Sequence, residues 1–299
     1  ISCEYISRNR EMRQSMAGTK INRDSEKTEP SFKSGGPEDK TGRKQDFTQG
    51  NIVKQIVAFT LPLIASSLLQ ALYNMVDMVI AGRFAGPSAI SAINNSSQIL
   101  VIITKIAIGI TTGGCVLIAQ FYGGKEDRSR EEAAGTLVSL SAVLGIAFSV
   151  ILAASSGGIL RILQAPAYDE AVLYLRICSA GMFFVYIYNA FSSMLRAVGD
   201  SRTPMRIVIA TTILNAVLDL VFVAGFGMGV AGAAWATVIA QVLSALLSLA
   251  AIMKEKELIR FTREFLRIRM GMLKQTLKVG IPGAVQMTIA GFSWLLVTF

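Results

Sequence analysis

The chain has 299 residues, of which 52% are hydrophobic and only 16% charged, and its formal net charge is +9. That balance is too apolar for an ordinary soluble domain. A nucleic-acid binder would gather its excess Lys and Arg on a polar surface, and the distribution described below does not.

Residues 1–48 are polar, mix both charge signs and contain no apolar core of the kind a cleavable signal needs. They are expected to form a disordered polar leader. Six apolar stretches follow, near 56–82, 95–121, 135–155, 172–195, 204–226 and 230–253, with a seventh beginning near 279. Each approaches or exceeds the ~20 residues needed to cross a ~30 Å hydrocarbon core. No water is available there, so each must close its own backbone hydrogen bonds as a helix. The stretches do not alternate as barrel strands would. The predicted fold class is an all-α polytopic membrane protein, with the lipid bilayer as its first partner.

Of the 29 Lys and Arg, 25 fall in residues 1–54, 125–130, 196–206 and 254–278, one set of alternate connections. By the positive-inside rule that side is cytoplasmic, which puts the N-terminus inside and sends the first span outward. The basic balance therefore describes topology in a cell membrane. Residues 254–278 intersperse apolar residues among charges and are expected to form an amphipathic cytoplasmic linker helix.

An internal repeat crosses this pattern. Lys54-Gln55 precedes Pro62 with the spacing at which Lys274-Gln275 precedes Pro282, and both pairs introduce an apolar span from the same side. A repeat of equal orientation is the parallel kind found in transporters built from two bundles. The expected organisation is a six-helix lobe over 49–253, the linker over 254–278, and the first helix of a second, truncated lobe over 279–299.

Chemistry concentrates at two positions. Asp77 and Asp219 are the only acidic residues inside the six apolar stretches. A charge at a helix centre costs ~2.5–3.5 kcal/mol on insertion scales, so such groups face a protein interior or an ion path. With a rise of ~1.5 Å per residue, Asp77, Asp219, Thr237 and Tyr174 are all expected in the outer half of the membrane. Asn215 lies one turn from Asp219 on the same helix face. Two carboxylates, an amide, a hydroxyl and a phenol suit either a proton relay or a small hard cation such as Na+ held by Asp77, Asn215, Asp219 and Thr237. Desolvation and mutual repulsion are expected to bring at least one carboxyl into titration near neutral pH. Tyr73, Asn74, Met75, Met182 and Phe183 are candidates for the lining of an adaptable substrate cavity. Lys105, within the second stretch, reads either as a counter-ion or as a snorkelling lysine. Cys178 reads as a small buried hydrophobe.

Tyr73-Asn74-Met75-Val76-Asp77 with Ala81-Gly82-Arg83 resembles the multidrug and toxic compound extrusion (MATE) family. So do the loop Arg196-Ala197-Val198-Gly199-Asp200-Ser201-Arg202-Thr203-Pro204, Asn215-Ala216-Val217-Leu218-Asp219, and Gly229-Val230-Ala231-Gly232 running on to Thr237. The resemblance covers about residues 50–299. It implies twelve helices in two pseudo-symmetric lobes and a monomeric carrier, as in prokaryotic members, that exports organic cations, drugs or toxic metabolites against inward H+ or Na+. It also implies coupling through the positions of Asp77, Asn215, Asp219 and Thr237, with Tyr174 nearby. No cofactor and no catalytic residue is expected. The stretch Gly227 to Gly232 matches a dinucleotide-binding pattern, but no strand precedes it. Without histidine, His-based intramembrane hydrolysis is excluded. The alternative within the same superfamily is a flippase for lipid-linked sugars.

Overall fold

The computed structural model describes residues 52–254 and 266–298. The expected leader at 1–48 lies outside them. Seven α-helices follow one another among the described residues: α1 Ile52–Ala85, α2 Pro87–Gly123, α3 Asp127–Ile162, α4 Tyr168–Ala197, α5 Arg202–Asp219, α6 Gly229–Lys254 and α7 Met270–Thr298. The first six, with α5 continued to Gly225, are long and apolar enough to cross a membrane. At ~1.5 Å per residue, α2 with its 37 residues is much longer than the ~30 Å core, so polar ends project beyond the apolar windows read from the sequence. The expected seventh span falls on α7, whose side chains from Phe292 onward lie outside the described residues.

The lobe is organised around α4, which packs on α2, α3 and α6. Its buried face contributes Tyr174, Cys178, Met182 and Tyr186 to one apolar core with Ile93 of α2, Leu152 of α3 and Ala233 of α6. The polar tip of Tyr186 is satisfied within that core: its hydroxyl donates to the Ile103 carbonyl at 3.2 Å while its ring stacks on Phe148. The helix α1 contributes Ile80 and Ala81 to this core. It lies against α5, α2 and α6 and leaves Leu61, Ile64, Leu68 and Leu72 exposed, as suits a lipid-facing or partner-facing helix.

The connection between α4 and α5 shows how a short sequence sets a turn. Gly199 adopts φ 87°, the left-handed region in which a side chain is strained. Buried Asp200 then accepts the backbone N–H groups of Arg202 and Thr203 at 3.0 and 2.9 Å, satisfying donors of the first turn of α5. On the preceding turn, Arg196 donates to the hydroxyls of Ser192 and Ser193.

Two expectations change. The fifth stretch is not one uniform helix: after Asp219 it widens to a π-helical turn over Leu220–Gly225. The linker expected as a surface helix over 254–278 is not helical at 266–269, and α7 already begins at Met270; residues 255–265 lie outside the described residues. The physical reason is docking onto α3. Ser139 donates to the Leu266 carbonyl at 2.7 Å, the Arg269 N–H donates to Thr136 at 3.2 Å, and the Arg269 guanidinium lies 3.7 Å from Glu132. From there α7 runs antiparallel to α2, where Gly113 faces Gly280 and Gly109 faces Ala284 so closely that a side chain at either α2 glycine would collide with α7 backbone. Small residues at such spacing let helix backbones approach in a membrane.

Replacing Asp200 by Ala removes the acceptor of two first-turn N–H groups and is expected to cost about 1–2 kcal/mol of stability. Thermal unfolding in detergent should show a clear fall for Asp200→Ala and a smaller one for Asp200→Asn, which keeps an oxygen acceptor.

Candidate functional site

Four helices bring the candidate residues to one level of the lobe. Asp77 comes from α1, Tyr174 from α4, Asn215 and Asp219 from α5, and Thr237 from α6. All five are buried, Asp219 completely and Asp77 at 5% exposure. For Asp77 this is local: its neighbours Met75 and Val76 are exposed, so one turn of α1 aims a carboxyl into the lobe while the rest of that turn faces outward.

The contacts join these residues into one group. The carboxyls of Asp77 and Asp219 lie within hydrogen-bonding reach of each other. With its amide oriented as its neighbours require, Asn215 donates to Asp219 Oδ2 at 3.0 Å and accepts the Thr237 backbone N–H at 3.2 Å. Asn215 therefore links the acid of its own helix to α6. Asp77 Oδ1 and Asp219 Oδ1 have no hydrogen-bond partner among the described residues. An orphaned carboxylate oxygen inside a protein is costly.

Sequence reasoning missed part of this surround. Cys178, read as a small hydrophobe, lies one turn from Tyr174 within hydrogen-bonding reach of that phenol, and is close enough for both carboxylates to act on its sulfur. Its Sγ also lies 4.0 Å from the Ala234 carbonyl. The i, i+4 spacing from Tyr174 was the available signal. One turn inward of Thr237, Gln241 Oε1 is buried without a partner among the described residues. The π-helical turn begins directly after Asp219. Such wide turns are frequent at functional sites, and no residue pattern announced it.

The substrate-cavity candidates separate. Met182 is buried in the apolar core, so it packs the lobe interior rather than lining an open cavity. Met75 is exposed on α1. Phe183 is half-buried, edge-on to Phe184, with its backbone against Gly145 of α3. The side chains of Tyr73 and Asn74 lie outside the described residues. Two cavities, of about 380 Å³ beside Arg161 and Tyr168 and about 290 Å³ beside Asp200 and Arg206, include neither aspartate in their linings.

The MatE family model matches residues 62–221. A relative from Bacillus subtilis, the probable multidrug resistance protein YpnP, is 32% identical over 82% of this chain and 55% of its own length. The probable multidrug resistance protein NorM of Thermotoga maritima is 29% identical over 79% of this chain and 52% of its own. Among solved structures, a MATE protein in the bent conformation matches with a TM-score of 0.75 and 27% identity over 81% of this chain and 55% of that one. The chain thus spans about half the length of the relatives it matches.

Asn215 links Asp219 to the α6 backbone. Its replacement by Leu removes the amide donor to Asp219 Oδ2 and leaves the Thr237 N–H without that acceptor, and is expected to lower stability by about 1–3 kcal/mol. Thermal unfolding of Asn215→Leu beside wild type checks this; an unchanged midpoint would mean that the amide carries none of the contact energy.

Proposed function

The chain belongs to the MatE family, and from that membership we propose that it is the ion-coupling lobe of a secondary active exporter of small organic molecules. The observation that carries the proposal is the buried carboxyl pair: Asp77 and Asp219, from different helices, within hydrogen-bonding reach of each other and joined through Asn215 to α6. Two carboxylates this close and out of water cannot both stay charged without help, so the pair takes up a proton or a Na+ ion. Thr237, the Asn215 oxygen and the unpartnered carboxylate oxygens supply the hard donors that either ion prefers.

Coupling follows from charge. With the ion bound, one of the two negative charges is cancelled, the repulsion between the carboxyls is removed, and Asp77 is held against α5. With the ion released, like charges repel, and α1, whose buried contribution to the core is Ile80 and Ala81, repacks. Pro62 breaks one hydrogen bond inside α1 and lets it bend below the site. Substrate exit and ion entry are then alternatives because each needs a different position of α1.

The proposed setting is a cell membrane with the N-terminus cytoplasmic. The cargo is an amphipathic drug, organic cation or toxic metabolite. Relatives named as multidrug resistance proteins support this reading over a flippase for lipid-linked sugars.

The test uses proteoliposomes with the transporter that carries this chain, a fluorescent organic cation, and pH and Na+ gradients imposed separately. Wild type should export with one gradient. Asp77→Asn and Asp219→Asn should reduce gradient-driven export to the protein-free background while unfolding near the wild-type temperature. Transport by both variants at the wild-type rate would remove the pair from the coupling mechanism.

A further inference from the structure

Lys105 is the one lysine within the membrane-spanning part of α2, and the site just described does not use it. It lies at the midpoint of that helix, roughly 27 Å from either end at ~1.5 Å per residue. Along the apolar stretch 95–121 the nearer end is ten residues, ~15 Å, from Lys105, more than a lysine stem spans. Snorkelling therefore does not account for it.

Nor does a counter-ion among the described residues. The ion pairs among the described residues gather at Asp127, Arg128, Arg130, Glu132 and Arg269, at the ends of α3 and α7. The buried carboxyls act on each other, and Lys105 is not among the groups that influence either of them. The lysine nevertheless has a prepared seat. Gly291 of α7 leaves room for the stem, since a Cβ there would meet Lys105 Cδ at 3.0 Å and Nζ at 3.3 Å. Below this seat Gly109 and Gly113 close the α2–α7 seam against Ala284 and Gly280. At Lys105 the seam admits a side chain, and the residue is only half-buried. A half-buried ammonium with no carboxylate paired to it among the described residues, in the middle of an apolar helix, has an electrostatic demand that a ligand can meet.

We infer that Lys105 is the contact for an anionic group on the transported molecule, so that amphipathic substrates bearing a carboxylate, sulfonate or phosphate are accepted beside cations. The inference narrows the substrate class of the proposed exporter and rests on that reading for its role in transport, but the binding itself requires no ion gradient. An ammonium–carboxylate contact in a water-poor seam is a charge-assisted hydrogen bond, stronger than its neutral counterpart.

The test is equilibrium binding to the purified transporter that carries this chain, in nanodiscs of zwitterionic lipid. Two xanthene dyes of similar ring size serve as probes: carboxyfluorescein, an anion, and rhodamine 6G, a cation. Wild type should bind carboxyfluorescein about tenfold more tightly than Lys105→Gln or Lys105→Met, a difference of about 1.4 kcal/mol. Lys105→Arg should retain most of the affinity, and rhodamine 6G should bind the neutral variants at least as well as wild type. Gly291→Leu, which fills the seat and leaves the charge in place, should weaken the anion alone and gives a second route if the neutral variants fold poorly. Equal affinity of wild type and Lys105→Gln for carboxyfluorescein would overturn the inference. So would a parallel loss for both dyes, which would assign Lys105 to packing. Because no gradient is applied, a failure of coupling at Asp77 and Asp219 leaves this readout untouched.

Discussion

The structure turns on one constraint: two carboxyl groups removed from water must be satisfied by each other, by the few polar groups around them, or by an ion. Asp77 and Asp219 are both buried, and each has an oxygen without a partner among the described residues. In a bilayer, water cannot serve as a default partner. Every nearby helix supplies something to this problem. The helix α5 brings Asn215 one turn from Asp219, α6 brings the Thr237 backbone, and α4 brings Tyr174 and Cys178. A group of this kind is stable only in a limited set of charge states.

The fold divides the labour between rigid and adjustable parts. The helices α2, α3, α4 and α6 share an apolar core in which even the Tyr186 hydroxyl has found a carbonyl. They form the frame. Against it lie α1, with Pro62 and a largely exposed surface, and the π-helical turn that follows Asp219. Both carry or adjoin a carboxyl, so a change of charge acts where the backbone is least regular. At the other end of the lobe, Asp200 and Gly199 fix the turn into α5, and residues 266–269 are pinned to α3.

Much of this was legible in the residues. Apolar length gives the six spans because the bilayer sets a minimum that few soluble helices meet. Asp77 and Asp219 stand out because a carboxyl there has no cheap structural excuse. The Gly199-Asp200 pair can be read as a turn and a cap. What stayed hidden depends on three-dimensional neighbours. Cys178 has the composition of core, and only its position beside Tyr174 relates it to the acids. Met182 has the chemistry of a cavity wall, yet its face of α4 points into the lobe. The amphipathic pattern of 254–278 suggested a separate helix, whereas side chains of α3 capture 266–269 and α7 takes the remainder from Met270. The π turn over Leu220–Gly225 has no residue pattern that sets it apart from the helix before it.

The central claim is that Asp77 and Asp219 share one exchangeable proton or the cation that replaces it. Infrared difference spectroscopy of the chain in lipid, recorded as pH is raised, tests it most directly. The account predicts a protonated-carboxyl band that disappears on alkalinisation, and that is absent from the difference spectra of both Asp77→Asn and Asp219→Asn. A band that persists unchanged in both variants, or no protonated carboxyl at any pH in wild type, would contradict it.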